Sequence, residues 1–279
     1  MLFRSFVGWY TPQLATPTGP WGVGRTTLHW VDKDRPESWT PEPDDRRKIN
    51  VVVWHPAEKG DGSPAPYLPD ADRLPGLGRL ERLVVRRIQP CSRLGAAPAG
   101  PGGPRPVILF SPGGDTPSYY YASVIEDWVS QGWIVVGVEH AFESKGRVRP
   151  DGSIDSRTID DYRPPPTEGD ADLRFEKFYR RRAAERAADL GFVLDQLVRL
   201  NNDDPLLRGR LDLAKVVAAG HSIGGVSALQ ACAQDGRFKG GINFDGLLLS
   251  QPCFFGDGSP RVRTPWIYLG KPLRPPLAP

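Results

Sequence analysis

The chain has 279 residues, of which 39% are hydrophobic and 10% aromatic. This is enough for one large globular domain and excludes wholesale disorder. The formal net charge is only +3, so composition gives no case for a nucleic-acid partner. No stretch approaches the roughly 18 apolar residues of a membrane span. The first residues lack the apolar region and cleavage site of a secretory signal. We therefore expect a soluble chain, cytoplasmic by default.

Three cysteines, Cys91, Cys232 and Cys253, lack the spacing of metal ligands. We expect neither a metal nor another cofactor. Cys232 is expected to be a small buried hydrophobe, and a disulfide between Cys91 and Cys253 is left open. The basic run at 180–182 with Arg186 lies in a helical pattern among acidic residues, which favours a solvated helix face.

The N-terminal part of the chain predicts irregular structure followed by a hairpin. Residues 1–25 are rich in Pro and Gly, which is typical of an irregular segment. Strands are predicted at 26–31 and 49–54, with a loop of charged and turn residues between them. A helical patch at 77–87 then leads to a Pro-, Gly- and Ala-rich surface loop at 89–106.

Buried strands then alternate with helices. Strands are predicted at 106–110, 133–138, 215–219, 238–244 and 266–269, and helices at 119–131, 171–200 and 226–233. Residues 143–171 are polar, include three consecutive prolines and form a lid-like excursion. This alternation predicts one α/β domain over residues 1–279 with a mostly parallel, doubly wound sheet.

The most informative motif is Gly-X-Ser-X-Gly at 220–224, between an apolar strand and a helix. This layout is typical of a nucleophile elbow, in which a tight turn presents a serine hydroxyl at the edge of the sheet. Gly220 and Gly224 let the backbone crowd around Ser222. The chain contains 31 glycines, so the spacing alone is weak evidence, and the flanking strand and helix give the motif its weight.

Two further positions at strand ends fit this chemistry. Gly114 follows the strand at 106–110, and its N–H with that of Ile223 would form an oxyanion hole. A simple strand-to-helix turn is the alternative. Asp245 follows the strand at 238–244, where a triad acid belongs. Asp-Gly is also a common turn dipeptide, and Asp257 is the second candidate.

The general base is missing from this pattern. Hydrolases with such an elbow place the catalytic histidine after the acid, whereas the four histidines of this chain are at 29, 55, 140 and 221. The side chain of His221 is expected to point away from the reactive face of Ser222. His140 is expected to be hydrogen-bonded within the fold or to line the substrate pocket. A serine without a base is a poor nucleophile, so the triad is incomplete.

Together these residues resemble the platelet-activating-factor acetylhydrolase-like (isoform II) family of α/β-hydrolases, bacterial type. The similar segments follow the family's order over roughly residues 15–250. They include Thr26–His29, Asp32–Pro36, Val51–Ala57, Pro106–Gly113, Val138–His140, Gly220–Gly225 and Asn243–Gly246.

The resemblance implies a metal-independent serine esterase that cleaves short-acyl or phospholipid-like esters through an acyl-enzyme. It assigns Ser222 as nucleophile, Asp245 as acid, and Gly114 with Ile223 as oxyanion donors. Pro112 departs from the family, which usually has histidine there. Contact with a membrane surface is compatible with such substrates, and oligomeric state is left open.

The family also continues to a catalytic histidine and a closing helix, whereas this chain ends in a Pro-rich tail at Pro279. We therefore expect a truncated hydrolase that lacks the C-terminal strand and helix portion and is impaired in catalysis. The alternative from another class is a catalytically inactive protein that binds lipids or esters. A third interpretation keeps the elbow and changes the ester, for example to a polyester.

Overall fold

The computed structural model describes residues 12–100, 103–143, 147–155, 171–246 and 262–270. Eleven strands are present among these residues. They are β1 (Gly22–Pro36), β2 (Arg46–Ala57), β3 (Ser63–Pro64), β4 (Ser92–Leu94), β5 (Arg105–Ser111), β6 (Ile134–His140), β7 (Arg147–Val148), β8 (Ile154–Asp155), β9 (Leu211–His221), β10 (Phe238–Phe244) and β11 (Trp266–Leu269).

Nine of these strands form one sheet in the order β11-β10-β9-β5-β6-β2-β1-β4-β3, and β7 pairs with β8 in a separate hairpin. The five strands from β11 to β6 are mutually parallel, while β2 is antiparallel to both β6 and β1. The predicted mostly parallel sheet is therefore confirmed. Because parallel strands end at a common edge, the residues after β5, β9 and β10 lie on the same side of the molecule.

Four helices accompany the sheet in the described ranges: α1 (Arg79–Val85), α2 (Ala122–Ser130), α3 (Ala171–Asp203) and α4 (Ile223–Gln234). One core joins α3 and α4 to one face of the sheet, through residues such as Leu190, Leu194 and Ala228. A second core joins α2 to the other face, through Ile125 and Val129. The sheet is thus doubly wound, as predicted, and none of these helices is long and apolar enough to cross a bilayer.

The N-terminal half differs from the prediction in two places. β1 begins at Gly22 and extends to Pro36, so the hairpin is longer than its apolar pattern indicated. The segment expected to be a loop contains β4, which pairs with β1, and the Ser92 N–H donates to the buried carboxylate of Glu126. In both places long-range polar contacts stabilise strands that local hydrophobicity does not indicate.

Cys232 is buried, as predicted, whereas Cys253 and Asp257 lie outside the described residues.

A buried ion network ties the hairpin to α3. The Asp189 carboxylate on α3 accepts hydrogen bonds from Arg47 Nη2 at 2.7 Å, His140 Nδ1 at 2.8 Å and Arg35 Nη2 at 2.9 Å. Arg47 also pairs with Glu37 at 3.2 Å. Burial by itself would raise the pKa of Asp189, but Arg47 and His140 outweigh it and hold the pKa well below its ordinary value. Asp189 is therefore charged in the folded state.

Replacing Asp189 by Asn should lower the free energy of unfolding by about 3–5 kcal/mol near neutral pH, because Arg47 would be left buried without its partner. The measurement is urea unfolding followed by circular dichroism. Asp195→Asn is the matched control on α3, since its side chain is 54% exposed and its pair with Arg237 should contribute less than about 1 kcal/mol. Equal effects of the two substitutions would contradict the prediction.

The same carboxylate gives an expected pH dependence. Because folding depresses the pKa of Asp189, its stabilising contribution is complete above the unfolded pKa of about 4 and is lost as the pH falls below that value. The difference in unfolding free energy between the native chain and Asp189→Asn should therefore shrink in acid. A difference that stays constant from pH 7 to pH 3 would show that this carboxylate is not the group responsible.

Candidate active site

Ser222 occupies the turn between β9 and α4. Its backbone has φ 54° and ψ −125°, a region that residues with a side chain rarely adopt. The Ser222 N–H donates to the Phe244 carbonyl oxygen at 2.8 Å, which anchors the turn to the end of β10. The serine itself is half-buried. The structure thus places Ser222 in a strained strand-to-helix turn at the carboxyl edge of the sheet.

The two glycines of the motif are required by close backbone packing. A Cβ atom at Gly224 would lie 2.1 Å from the Ser111 carbonyl oxygen, and one at Gly220 would lie 2.6 Å from the same oxygen. Cβ atoms do not approach other atoms so closely, so only glycine fits at either position. The absence of side chains lets the elbow pack directly against the segment that follows β5.

That segment, residues 111–115, is referred to below as the oxyanion turn. The Gly113 N–H donates to Tyr121 Oη at 3.1 Å. Within the described ranges, the N–H groups of Gly114 and Ile223 have no hydrogen-bond acceptor in the protein. Ile223 is the first residue of α4, where unpaired N–H groups and the positive end of the helix dipole favour a negative charge. The two predicted oxyanion donors therefore lie on segments in direct contact.

Asp245 lies immediately after β10 and is exposed to solvent. Its φ is 52°, its N–H donates to the Leu269 carbonyl oxygen at 2.8 Å, and its carboxylate accepts a long hydrogen bond of 3.5 Å from Tyr268 Oη. Phe244 is paired in register with His221. Asp245 and Ser222 consequently follow neighbouring strands at the same edge of the sheet.

The four histidines have other partners. His29 Nδ1 lies 2.5 Å from Asn50 Oδ1, and His55 Nδ1 lies 3.2 Å from the Pro56 carbonyl oxygen. In the part of the chain that the structure describes, none of the four is hydrogen-bonded to the Ser222 hydroxyl.

His140 differs from the pocket-lining position considered for it. The side chain is 1% exposed, and its ring nitrogens lie 2.9 Å from Ser111 Oγ and 2.8 Å from the Asp189 carboxylate. Burial, and next the positive charge of Arg186, lower the pKa of His140, so the ring is neutral at pH 7. With Nδ1–H donating to Asp189, Nε2 accepts from the Ser111 hydroxyl. His140 thus holds Ser111, the first residue of the oxyanion turn, by a hydrogen bond from inside the fold.

His221 contacts the segment that follows β5. Its Nδ1 lies 2.8 Å from Tyr121 Oη, the same hydroxyl that accepts the Gly113 N–H. A Cβ atom on Gly113 would lie 2.7 Å from this nitrogen, so the ring packs against the oxyanion turn. Partial burial lowers the pKa of His221, and nearby Asp245 opposes this effect. Tyr121 is 100 residues away in sequence, and no local pattern indicates this contact.

Two of the basic residues on α3 are buried, contrary to the prediction. Arg182 and Arg186 are 0% and 1% exposed, although a solvated helix face was predicted for them. Both guanidinium groups contact the buried carboxylate of Glu143, at 3.2 and 2.5 Å. A sequence pattern cannot distinguish an arginine that faces solvent from one that meets a distant buried acid.

Comparison with known proteins identifies relatives among acetylhydrolases and esterases. The family model described as platelet-activating factor acetylhydrolase, isoform II, matches residues 174–268. A platelet-activating factor acetylhydrolase of Cavia porcellus is 26% identical over 73% of this chain and 53% of its own length. A probable 1-alkyl-2-acetylglycerophosphocholine esterase of Arthroderma benhamiae is 27% identical over 59% of this chain and 37% of its own. The chain therefore matches about half or less of the length of these relatives.

Among solved structures, a ferulic acid esterase from Streptomyces cinnamoneus superposes with a TM-score of 0.74 at 28% sequence identity. The match covers 94% of this chain and 68% of the esterase. The chain accordingly has the α/β-hydrolase fold.

Gly224→Ala should disrupt the site, because its Cβ would overlap the Ser111 carbonyl oxygen. We expect a loss of at least about 2 kcal/mol in unfolding free energy, the scale of overpacking in a filled space. Gly191→Ala on α3 is the matched control, since no atom lies within 4 Å of its added Cβ and alanine favours helix by up to about 1 kcal/mol. Chemical denaturation measures both effects. A neutral Gly224→Ala would contradict the packing described above.

Proposed function

We propose that the chain, which is similar to the platelet-activating factor acetylhydrolase, isoform II, family over residues 174–268, is a serine carboxylester hydrolase. The observation that carries the proposal is the strained backbone of Ser222, with φ 54°, packed against the oxyanion turn. Strain of this kind costs on the order of 1–3 kcal/mol and persists where the surrounding structure enforces it, often at active sites.

In the proposed reaction Ser222 Oγ attacks the carbonyl carbon of an ester. The N–H groups of Gly114 and Ile223 hold the negative charge that develops on the carbonyl oxygen. Solvent water takes the Ser222 hydroxyl proton and returns a proton to the leaving oxygen, so that the ester C–O bond breaks and the alcohol departs as the acyl-enzyme forms. A second water then attacks the acyl-enzyme, releases the acid and returns a proton to Ser222 Oγ. Asp245 lies where the acid of a complete triad would orient the histidine base and stabilise its charge.

The Ser222 hydroxyl proton also needs an acceptor, and the basicity of that acceptor limits the rate that we propose for this chain. Each histidine has the other partners described above, so no imidazole assists Ser222 in the described region. Catalysis then depends on positioning and on the oxyanion donors, which retain about 10³–10⁴-fold acceleration over water when triad residues are removed from a serine protease. We propose turnover several orders of magnitude below that of an enzyme with a complete triad.

For the substrate we propose short-acyl or phospholipid-like esters. The names of the relatives indicate acetyl esters for two of them and a feruloyl ester for the third. Aromatic side chains lie near the candidate site. Tyr121 contacts the oxyanion turn, and the rings of Trp128 and Phe244 are 5.9 Å apart. Parallel assays with p-nitrophenyl acetate and methyl ferulate would distinguish an acetyl-ester from a feruloyl-ester substrate. Release of soluble products from a polyester film would test a polyester substrate.

A second candidate function is binding without chemistry, as a lipid- or ester-binding protein. The observation that favours it is the engagement of all four histidines away from Ser222 in the described part of the chain. The observation against it is the strained serine, because a binding pocket gains nothing from φ 54° at this residue. Binding of a non-hydrolysable ether lipid without turnover of the matching ester would favour this candidate.

We also propose contact with a lipid surface through α1. The helix exposes Leu80, Leu83 and Val84 at 69%, 40% and 40% of their surface, with exposed Arg79 and Arg86 at its ends. Apolar side chains flanked by arginine are typical of segments that lie in the interface of an anionic membrane. A lipid surface would supply a phospholipid-like substrate directly to the site.

Ser222→Ala should abolish the esterase activity of the chain above background. The measurement is p-nitrophenyl acetate turnover, with mass spectrometry to detect acylation at Ser222. Ser227→Ala is the matched control, because this serine is buried in α4 and its hydroxyl donates to the Ile223 carbonyl within the helix. Equal, slow hydrolysis by the native chain and Ser222→Ala would contradict the enzyme and favour the binding protein. Fast, Ser222-dependent turnover would show that one of the histidines acts as base.

The lipid contact predicts that vesicles containing phosphatidylserine should retain the chain in co-sedimentation, and that neutral phosphatidylcholine vesicles should retain less. Leu80→Asp together with Leu83→Asp should remove this retention, because the apolar contact is lost and negative charge is added. Val124→Asp is the control, since Val124 is 44% exposed and lies on α2. Undiminished binding by the double variant would exclude α1 as the contact surface.

A further inference from the structure

The oxyanion turn is held on both sides of Gly113 and Gly114 by one buried ion pair. On one side, Arg186 Nη1 donates to the Pro112 carbonyl oxygen at 2.6 Å. On the other side, the Asp115 N–H donates to the backbone carbonyl of Glu143 at 3.0 Å. The Arg186 guanidinium joins these two anchors, because its Nε and Nη2 each lie 2.5 Å from Glu143 Oε2.

The pair is enclosed by protein. The side chains of Arg186 and Glu143 are both 1% exposed, and Arg182 approaches the same carboxylate oxygen at 3.2 Å. Burial would raise the pKa of Glu143, but the guanidinium groups of Arg186 and Arg182 outweigh it and lower the pKa. A buried charged pair contributes little net stability compared with apolar residues of similar volume. Its position beneath the turn therefore indicates a role beyond stability.

The two glycines between the anchors need such a restraint. Glycine has more backbone freedom than any other residue, and the Gly114 N–H has no internal acceptor in the described ranges to fix its direction. Asp115, the next residue, has φ 57°. An oxyanion donor is effective only when it is aimed in advance at the position where charge develops. Fixing the Pro112 carbonyl and the Asp115 N–H fixes the orientation of the peptide groups between them.

We propose that Arg186 and Glu143 are positioning residues that set the direction of the Gly114 N–H, an inference that rests on the proposed function of this turn as an oxyanion hole. The planar guanidinium is required, since it donates to the Pro112 carbonyl and to the Glu143 carboxylate at once. The ammonium group of lysine is a single point charge without this fixed fork. His140 acts with the pair from below, through its hydrogen bond to Ser111.

The test compares Arg186→Lys with Glu126→Gln. Glu126 is a fully buried carboxylate that accepts the N–H groups of Cys91 and Ser92, so its substitution perturbs a buried charge of similar kind without touching the turn. The first measurement is hydrogen exchange of the peptide that contains residues 111–116, with the β2 peptide as reference for global stability. The second measurement is the separate determination of kcat and KM for the Ser222-dependent hydrolysis of p-nitrophenyl acetate.

Arg186→Lys should accelerate exchange in the turn peptide at least about 10-fold relative to the β2 peptide, whereas Glu126→Gln should not. It should lower kcat by roughly 10- to 100-fold, somewhat less than removal of an oxyanion donor, with KM changed less than about threefold. If Arg186→Lys does not fold, Glu143→Gln replaces it, because it keeps the backbone carbonyl and side-chain shape and should give a smaller change in the same direction.

The proposal would be overturned if Arg186→Lys changed hydrogen exchange in the turn peptide and kcat no more than Glu126→Gln does. The ion pair would then be merely structural. Accelerated exchange with unchanged kcat would also overturn it, because the pair would hold the turn without affecting catalysis. If the native chain shows no Ser222-dependent turnover, the proposed function fails. The exchange result then still decides whether the pair holds the turn.

Discussion

The close approach of two backbone segments is the constraint on which the rest of this site depends. The elbow and the oxyanion turn come from neighbouring parallel strands, and they meet where Gly220 and Gly224 face the Ser111 carbonyl oxygen. A single methyl group at either glycine would separate the segments. Because they touch, the Ser222 hydroxyl lies at one edge of the sheet with the N–H groups of Gly114 and Ile223, which have no acceptor among the described residues.

Charge beneath the turn complements this steric constraint. Asp189 and Glu143 are buried acids that meet Arg47, Arg186 and His140 directly below residues 111–115. Each of these contacts joins elements far apart in sequence, so the network connects the hairpin, the end of β6 and α3 to the turn. A well-packed apolar layer could fill the same volume. It could not donate a hydrogen bond to a backbone carbonyl, and so it could not set the orientation of the turn.

The elements that sequence reasoning identified well are those with a local physical signal. Short strand patterns predicted β10 and β11 with the observed bounds, although the side chains of β11 are mostly exposed. The elbow was recognisable because glycine spacing, strand and helix coincide within a few residues. β4 and the ends of the β1–β2 hairpin were missed because their stability comes from partners such as Glu126 and Asp189, which lie more than 30 residues away in sequence.

The sequence by itself determined the α/β class with its mostly parallel sheet, the glycine–serine turn and the order of the candidate residues along the chain, because periodicity and glycine spacing are local properties. Only the tertiary structure decided what each polar side chain meets. It placed His140 inside the fold, His221 against the oxyanion turn, and Arg186 beneath it. The physical reason is that burial and hydrogen bonding of a polar side chain depend on distant segments. Its own neighbours in sequence cannot specify them.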